Sequence, residues 1–178
     1  SSHERRSLHD GWTTCAVAPN AATDPHALAS LTPEWSGAVV PGTVAAALRR
    51  DGVLELERAP DFDASDWWYR CRFPAELPRS DTASVLCFDG LATLAEVWLN
   101  GQRVLASDNM FVAHEVDVSA VLKADNELTI RFRSLRAALG ARRPRPRWRT
   151  KVVEHQQLRW QRVTLLGRMP GWSPPVRA

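Results

Sequence analysis

Apolar and polar residues alternate along much of this chain, most sharply between Val85 and Val104. There Ala95, Val97 and Leu99 fall on one side of an extended backbone and Leu94, Glu96 and Trp98 on the other, the period-two signature of a half-buried strand. The stretch reads as two strands joined at Asp89-Gly90, the second running into Asn100-Gly101. That dipeptide suits a type I′ turn because both central residues tolerate positive φ, so the chain is expected to fold back through Gln102 to Leu105.

The same period recurs on both sides of this hairpin. From Asp66 to Phe73, Trp67, Tyr69, Cys71 and Phe73 share one face while Trp68, Arg70 and Arg72 share the other. Leu128, Ile130 and Phe132 alternate with Thr129, Arg131 and Arg133, which predicts one face in the core and one in water. Further strands are expected from Arg6 to Val17, with an irregularity near Gly11, and from Met110 to Val118 after the polar loop Ser107-Asp108-Asn109. One helix stands out, in which Thr43 is a suitable N-cap, the Ala-rich run after it favours helix and Asp51-Gly52 ends it. Asn20 to Pro33 and residues 53–65 read as loops. Leu135 to Leu139 reads as a helical turn and Arg162 to Leu166 as another strand.

Short strands, hairpin connections and a single clear helix near 43–50 predict an all-β fold. The expected form is an antiparallel β-sandwich of the Greek-key jelly-roll type. A chain of 178 residues with 44% hydrophobic composition supports one domain, residues 1–178, in which 134–178 form a basic, Pro/Arg-rich closing segment.

Charge alters this picture only at the end of the chain. Residues 1–130 carry 10 Lys/Arg against 19 Asp/Glu, whereas residues 131–178 carry 13 Lys/Arg against Glu154 alone, so −9 and +12 sum to the net +3. The run from Arg142 to Arg149, with Trp148 inside it, is an alternative nucleic-acid contact. Packing of this basic run across its own acidic domain, or against a neighbour, is the stronger reading. Cys15, Cys71 and Cys87 are odd in number and widely spaced, which describes buried free thiols in a reducing compartment, and a cytoplasmic location is expected. No apolar run approaches the roughly 20 residues of a membrane span, and the N-terminus shows no signal-peptide pattern, so no membrane partner is expected. The chain opens without methionine and stops at Pro174-Pro175-Val176-Arg177-Ala178, as a piece of something longer would.

Candidate chemistry is sparse. No Gly-rich phosphate loop, HExxH, CxxC or GxSxG spacing occurs, and the five histidines are scattered, so neither a metal nor a cofactor is expected. Asp61, Asp63 and Asp66 lie together, and a retaining glycosidase needs two carboxyls about 5 Å apart across a sugar site. A solvated acidic loop is the simpler reading. Exposed Trp68 or Trp148 could stack on a pyranose, as in a stand-alone carbohydrate-binding module, although core is the simpler place for the Trp68 strand.

An ordered set of short motifs carries a resemblance. It comprises Val40-Pro41-Gly42-Thr43-Val44 with Leu48 and Gly52, Asp66-Trp67-Trp68-Tyr69-Arg70 with Phe73, and Phe88-Asp89-Gly90-Leu91. It continues with Val97-Trp98-Leu99-Asn100-Gly101, Asn109-Met110-Phe111, Asp117-Val118 and Asn126-Glu127-Leu128. Together they resemble the N-terminal domain of glycoside hydrolase family 2, over roughly residues 6–135, and look most like its β-mannosidases and exo-β-glucosaminidases.

The resemblance implies a galactose-binding-like jelly-roll that precedes an immunoglobulin-like domain and a (β/α)₈ barrel. The barrel would carry both catalytic glutamates and hydrolyse terminal β-linked sugars with retention, so no catalytic residue is expected in this chain. It also implies a carbohydrate partner, met through a Trp-Asp-Trp loop that reaches the barrel's pocket. By position that loop falls near Pro170-Gly171-Trp172-Ser173-Pro174, which makes Trp172, Gly171 and Arg168 the candidate pocket residues. Gly171 stands where the acid is expected, which puts the usual sugar contact and the mannose preference in question. Glu55-Leu56-Glu57-Arg58 likewise replaces the family's usual Asp-Pro after Leu54.

Overall fold

The computed structural model describes residues 4–52, 54, 60–78 and 82–140. Among these residues, eight strands form two antiparallel sheets. The larger sheet contains β1 (Thr13–Val17), β2 (Ser36–Gly37), β3 (Asp66–Pro74), β5 (Ala95–Leu99), β6 (Gln102–Ser107) and β8 (Asp125–Phe132), in the order β2-β1-β3-β8-β5-β6. The smaller pairs β4 (Val85–Phe88) with β7 (His114–Asp117). This is the expected antiparallel sandwich of the galactose-binding-like kind.

The space between the sheets is filled by alternate residues. Tyr69 and Cys71 of β3, Val97 and Leu99 of β5, and Leu128 and Ile130 of β8 form its buried centre. Leu86, Phe88 and Val116 close it from the smaller sheet, and the Phe132 ring meets Tyr69 edge-on at 5.7 Å. Each strand therefore puts its expected apolar face inward.

Asn100-Gly101 forms the expected turn. Their φ values of 53° and 82° fit type I′ geometry. The Asn100 carboxamide does more than tolerate the turn: it donates to Val121 O (2.8 Å) and Asn126 Oδ1 (2.9 Å) and accepts from Glu127 N (3.0 Å). It thereby stitches the β5–β6 turn to the start of β8.

The other proposed turn is different. β4 does not pair with β5; it pairs with β7, from Val85 opposite Asp117 to Phe88 opposite His114. The segment from Asp89 to Leu94 instead crosses between sheets, burying Leu91 and Thr93 as it goes. Gly90 is needed there because a Cβ would stand 2.6 Å from Met110 O. The expected strand from Met110 shortens to β7, since the Asn109 side chain accepts from Phe111 N (2.9 Å) and turns the backbone first. The opening strand likewise contracts to β1, after Gly11 at φ 75°.

α2 (Val44–Arg50) has the expected caps, with Thr43 Oγ1 accepting from Ala46 N at 3.1 Å and Gly52 at φ 71°. α3 (Leu135–Gly140) matches the expected helical turn. The segment read as a loop from Asn20 to Pro33 holds a helix, α1 (Pro25–Ser30). Asp24 caps it by accepting from Ala27 N (2.9 Å), and Pro25 occupies the first turn, where a missing N–H costs nothing.

α1 decides the character of the outer face of the large sheet. Its Leu28, with Ala22, covers Cys15, Trp68 and Trp98, and the two indoles stack at 5.3 Å. The face of β8 expected in water is therefore covered: Thr129 and Arg131 are each 3% exposed. The middle of the large sheet is thus covered on both sides, while Arg72 further along β3 stays exposed.

Burial also sets the proton chemistry of the core. It pushes the Cys15 thiol up to about 12, partly opposed by Arg70, the Cys71 thiol up to about 11 and the Tyr69 phenol up to about 12. Cys87 is exposed, so burial of all three thiols is corrected to two. Native protein is expected to release about one equivalent of chromophore with Ellman's reagent at pH 8, and about three in denaturant. The folded state keeps the buried groups neutral, so their contribution is complete below the unfolded thiol value near pH 9 and is lost as pH rises through about 11 and 12. Denaturant midpoints measured upward from pH 8 should fall accordingly. Asn100→Ala, which keeps a strained φ, removes the acceptor of Glu127 N and takes a donor from Val121 O and Asn126 Oδ1, should cost about 3 kcal/mol in the same assay.

Candidate functional site

Among the described residues, the largest concentration of buried charge lies where β3 begins and β8 ends. Asp66 opens β3 and is 1% exposed. One of its oxygens accepts from Asn20 N (2.8 Å) and from Arg131 Nε (3.1 Å) and Nη2 (2.6 Å); the other accepts from Ser134 N (2.7 Å). Arg131 completes its fork by donating to Glu96 Oε2 (3.0 Å) and Asn20 Oδ1 (2.9 Å). Strand register brings these groups together, because Arg131 lies between Trp68 of β3 and Glu96 of β5.

Ser134 extends the cluster into the chain's exit. Its hydroxyl donates to Asp63 O (2.6 Å) and accepts from Ala137 N (3.1 Å), capping α3. Asp61 caps the 3-10 turn Phe62–Ala64 by accepting from Asp63 N (3.2 Å), and it pairs with Arg136 of α3. The three acids considered as a catalytic set thus have structural partners. Asp66 is closed to solvent and occupied on both oxygens, while Asp61 and Asp63 hold the loop that carries it. A retaining pair needs two carboxyls free to face a sugar, and Asp66 with Glu96 instead share one guanidinium.

Beside the cluster is an open groove of about 380 Å³, lined by Glu96, Ala106, Ser107, Asp108 and Arg133 among others. Glu96 links the two, with its side chain 19% exposed and Arg103 Nη1 at 3.6 Å from its other oxygen. The groove borders Arg133, immediately before Ser134 and α3. It offers polar contacts of both signs. No group of three His, Cys, Asp or Glu side chains able to hold a metal occurs among the described residues.

The remaining sequence candidates separate cleanly. Trp172, Arg168, Gly171 and Trp148 lie outside the described residues, as do Glu55 to Arg58 and the strand expected at Arg162 to Leu166. Trp68 is corrected as an exposed platform: it is 0% exposed, stacked on Trp98 with the Arg131 guanidinium 5.7 Å from its ring. Asn20, Glu96 and Arg131 were not singled out from sequence. Their signal was the recurrence of Arg131 and Glu96 on the same outer face of two strands, which becomes meaningful only once those strands are neighbours.

A two-layer antiparallel sandwich, with its strongest charge cluster closed and structural, defines a galactose-binding-like β-sandwich domain. The chain belongs to the family described as glycosyl hydrolase 2 galactose-binding domain-like, which it matches over residues 18–174. Beta-mannosidase B of Aspergillus terreus is 42% identical over 102 residues, 54% of this chain and 12% of its own length. Beta-mannosidase B of Thermothelomyces thermophilus is 49% identical over 71 residues, 39% of this chain and 8% of its own. Beta-mannosidase of Rattus norvegicus is 35% identical over 105 residues, again 54% and 12%. Among solved structures, the beta-D-mannosidase from Dictyoglomus thermophilum superposes with a TM-score of 0.57 at 29% identity, over 74% of this chain and 16% of that one. The matched chain thus spans 8 to 12% of these curated relatives.

Removing one partner from the buried cluster should be far costlier than removing a surface pair. Arg131→Met leaves Asp66 charged and unpaired and should lower stability by about 3–5 kcal/mol. Arg72→Met, which breaks an exposed pair with Glu127, should cost about 0–1 kcal/mol. Urea unfolding of both variants measures the contrast.

Proposed function

We propose that this chain is the non-catalytic N-terminal scaffold and sugar-contacting domain of a β-mannosidase-like family 2 exo-glycosidase. Family membership across residues 18–174 carries the reading. In this reading, downstream immunoglobulin-like and barrel domains supply hydrolysis with retention, and the chain supplies a rigid shoulder from which residues after α3 reach the sugar pocket. The parent acts on terminal β-linked mannosides in the cytoplasm. The closed state of Asp66 supports the division of labour, because a carboxylate that is 1% exposed and held by four hydrogen bonds is out of a substrate's reach.

The expected test uses both lengths of protein. The 178-residue chain should release no nitrophenol from nitrophenyl β-mannoside, whereas the parent protein should. Turnover by the isolated chain that disappears with Asp66→Asn would overturn the assignment. In the parent, Trp172→Ala should lower kcat/KM by about tenfold or more if its indole touches the sugar. Unchanged kinetics would remove Trp172 from the pocket.

A further inference from the structure

The smaller sheet ends in open edges. β4 and β7 pair with each other, so each has one edge without a strand partner among the described residues. Val118 N donates to Ser84 O (2.9 Å), and Leu86 and Phe88 stand in the same register opposite Val116 and His114. Backbone polar groups alternate sides along an antiparallel strand, so those of His114 and Val116 are used within the pair, and those of Glu115 and Asp117 face the free edge of β7. On β4 the corresponding outward groups belong to Val85 and Cys87.

Charge distinguishes the two edges. Glu115 and Asp117 are exposed carboxylates on β7, whereas β4 carries exposed Val85 and Cys87 at the matching positions. Asp117 Oδ1 accepts from Ser119 N (2.9 Å) and Oγ (2.6 Å), and neither carboxylate has a cationic partner among the described residues. No Lys or Arg stands between Thr82 and Gln102 or between Val104 and Leu122, the stretches that hold β4 and β7 with their adjoining loops. The β7 edge is therefore a row of open backbone donors and acceptors in a negative field.

We infer that the free edge of β7 is the docking site of this chain's own basic C-terminal segment, through Arg162-Val163-Thr164-Leu165-Leu166. Residues 141–178 carry ten Lys/Arg and a single acid, Glu154, so the segment brings the opposite charge. Within the run, polar Arg162 and Thr164 alternate with apolar Val163 and Leu165. An added strand needs that pattern, with its apolar side against Val116 and its basic side beside Glu115 and Asp117. β-Branched Val163 and Thr164 also suit an extended backbone. Reach is ample, because about 22 residues from Gly140, the end of α3, to Arg162 span up to about 70 Å of extended chain. A second copy of the same edge would bring Glu115 and Asp117 against their own kind, and a polyanion would meet the same repulsion. Docking here holds Gly167 to Trp172, which follow directly, beside the sandwich whether or not they touch a sugar.

Amide hydrogen exchange on the isotopically labelled 178-residue chain tests this docking. The Glu115 and Asp117 amides should exchange at least about tenfold more slowly than those of Val85 and Cys87, the matched outward positions on β4. Val163→Pro combined with Thr164→Pro removes successive donors from the run and should bring the β7 amides to the β4 rate, while Arg162→Glu should lower their protection. Slow exchange at Ile130, in the middle of the large sheet, reports that each variant stays folded. Equal rates at the two edges overturn the docking. So does protection that survives the double proline, or that rises with protein concentration, which would assign the edge to a second copy. Exchange rates do not involve hydrolysis by the parent, so failure here leaves the functional reading standing.

Discussion

Asp66 and Arg131 meet at 2.6 Å in a place where neither is more than 4% exposed by side chain, and the organisation of the domain follows from that contact. Taking two opposite charges out of water costs several kcal/mol for each ion, and only close geometry with every remaining donor and acceptor filled offsets it. Asn20, Glu96 and Ser134 perform that filling. They come from the β1–α1 loop, β5 and the entry to α3, so satisfying one ion pair fixes the relative positions of four separate segments. The pair contributes specificity more than net stability: alternatives in which β8 slips by one residue would leave Arg131 without its acid and turn it into the apolar core.

The second constraint is the covering of the middle of the large sheet on both faces. An antiparallel sheet commonly has one wet face, and β3 and β8 carry Arg, Thr and Glu there as that arrangement would require. Trp68 and Trp98 break the pattern. Two stacked indoles represent too much apolar area to leave in water, and α1 is the lid that removes it. The lid is short, and a six-residue helix is marginal alone, so its stability comes from Leu28 and the Asp24 cap more than from propensity. Its short reach leaves a groove around Trp35 open at one side.

The legibility of this fold in sequence depended on how local each cause was. The type I′ turn at Asn100-Gly101 and the Thr43 cap are decided within four residues, and both were readable. The strand faces of β3, β5 and β8 were readable too, because alternation is intrinsic to a strand. Sheet membership was not: Asp89-Gly90 looks like a turn between neighbours, yet Leu91 and Thr93 find burial by crossing to the other layer. Arg131 looked solvated for the same reason, since its partners Asp66 and Glu96 lie 65 and 35 residues away. α1 was concealed by the Pro and Asp residues that start it, which in isolation describe a loop equally well. The family was legible because its motifs sit at these locally determined positions, while the sugar-loop candidates Arg168, Gly171 and Trp172 lie outside the described residues.

Asn100 also bears on how the protein ages. An asparagine followed by glycine is the sequence most prone to deamidation, because the unhindered glycine nitrogen can attack the preceding carboxamide carbon and close a succinimide. Here that carboxamide is turned toward Val121, Asn126 and Glu127 and is anchored on both its oxygen and its nitrogen. The fold withholds the electrophile from its neighbour. Chemical decay at this position is thereby tied to unfolding of the β5–β6 turn, and the residue that gives the hairpin its shape is shielded by the contacts its shape creates.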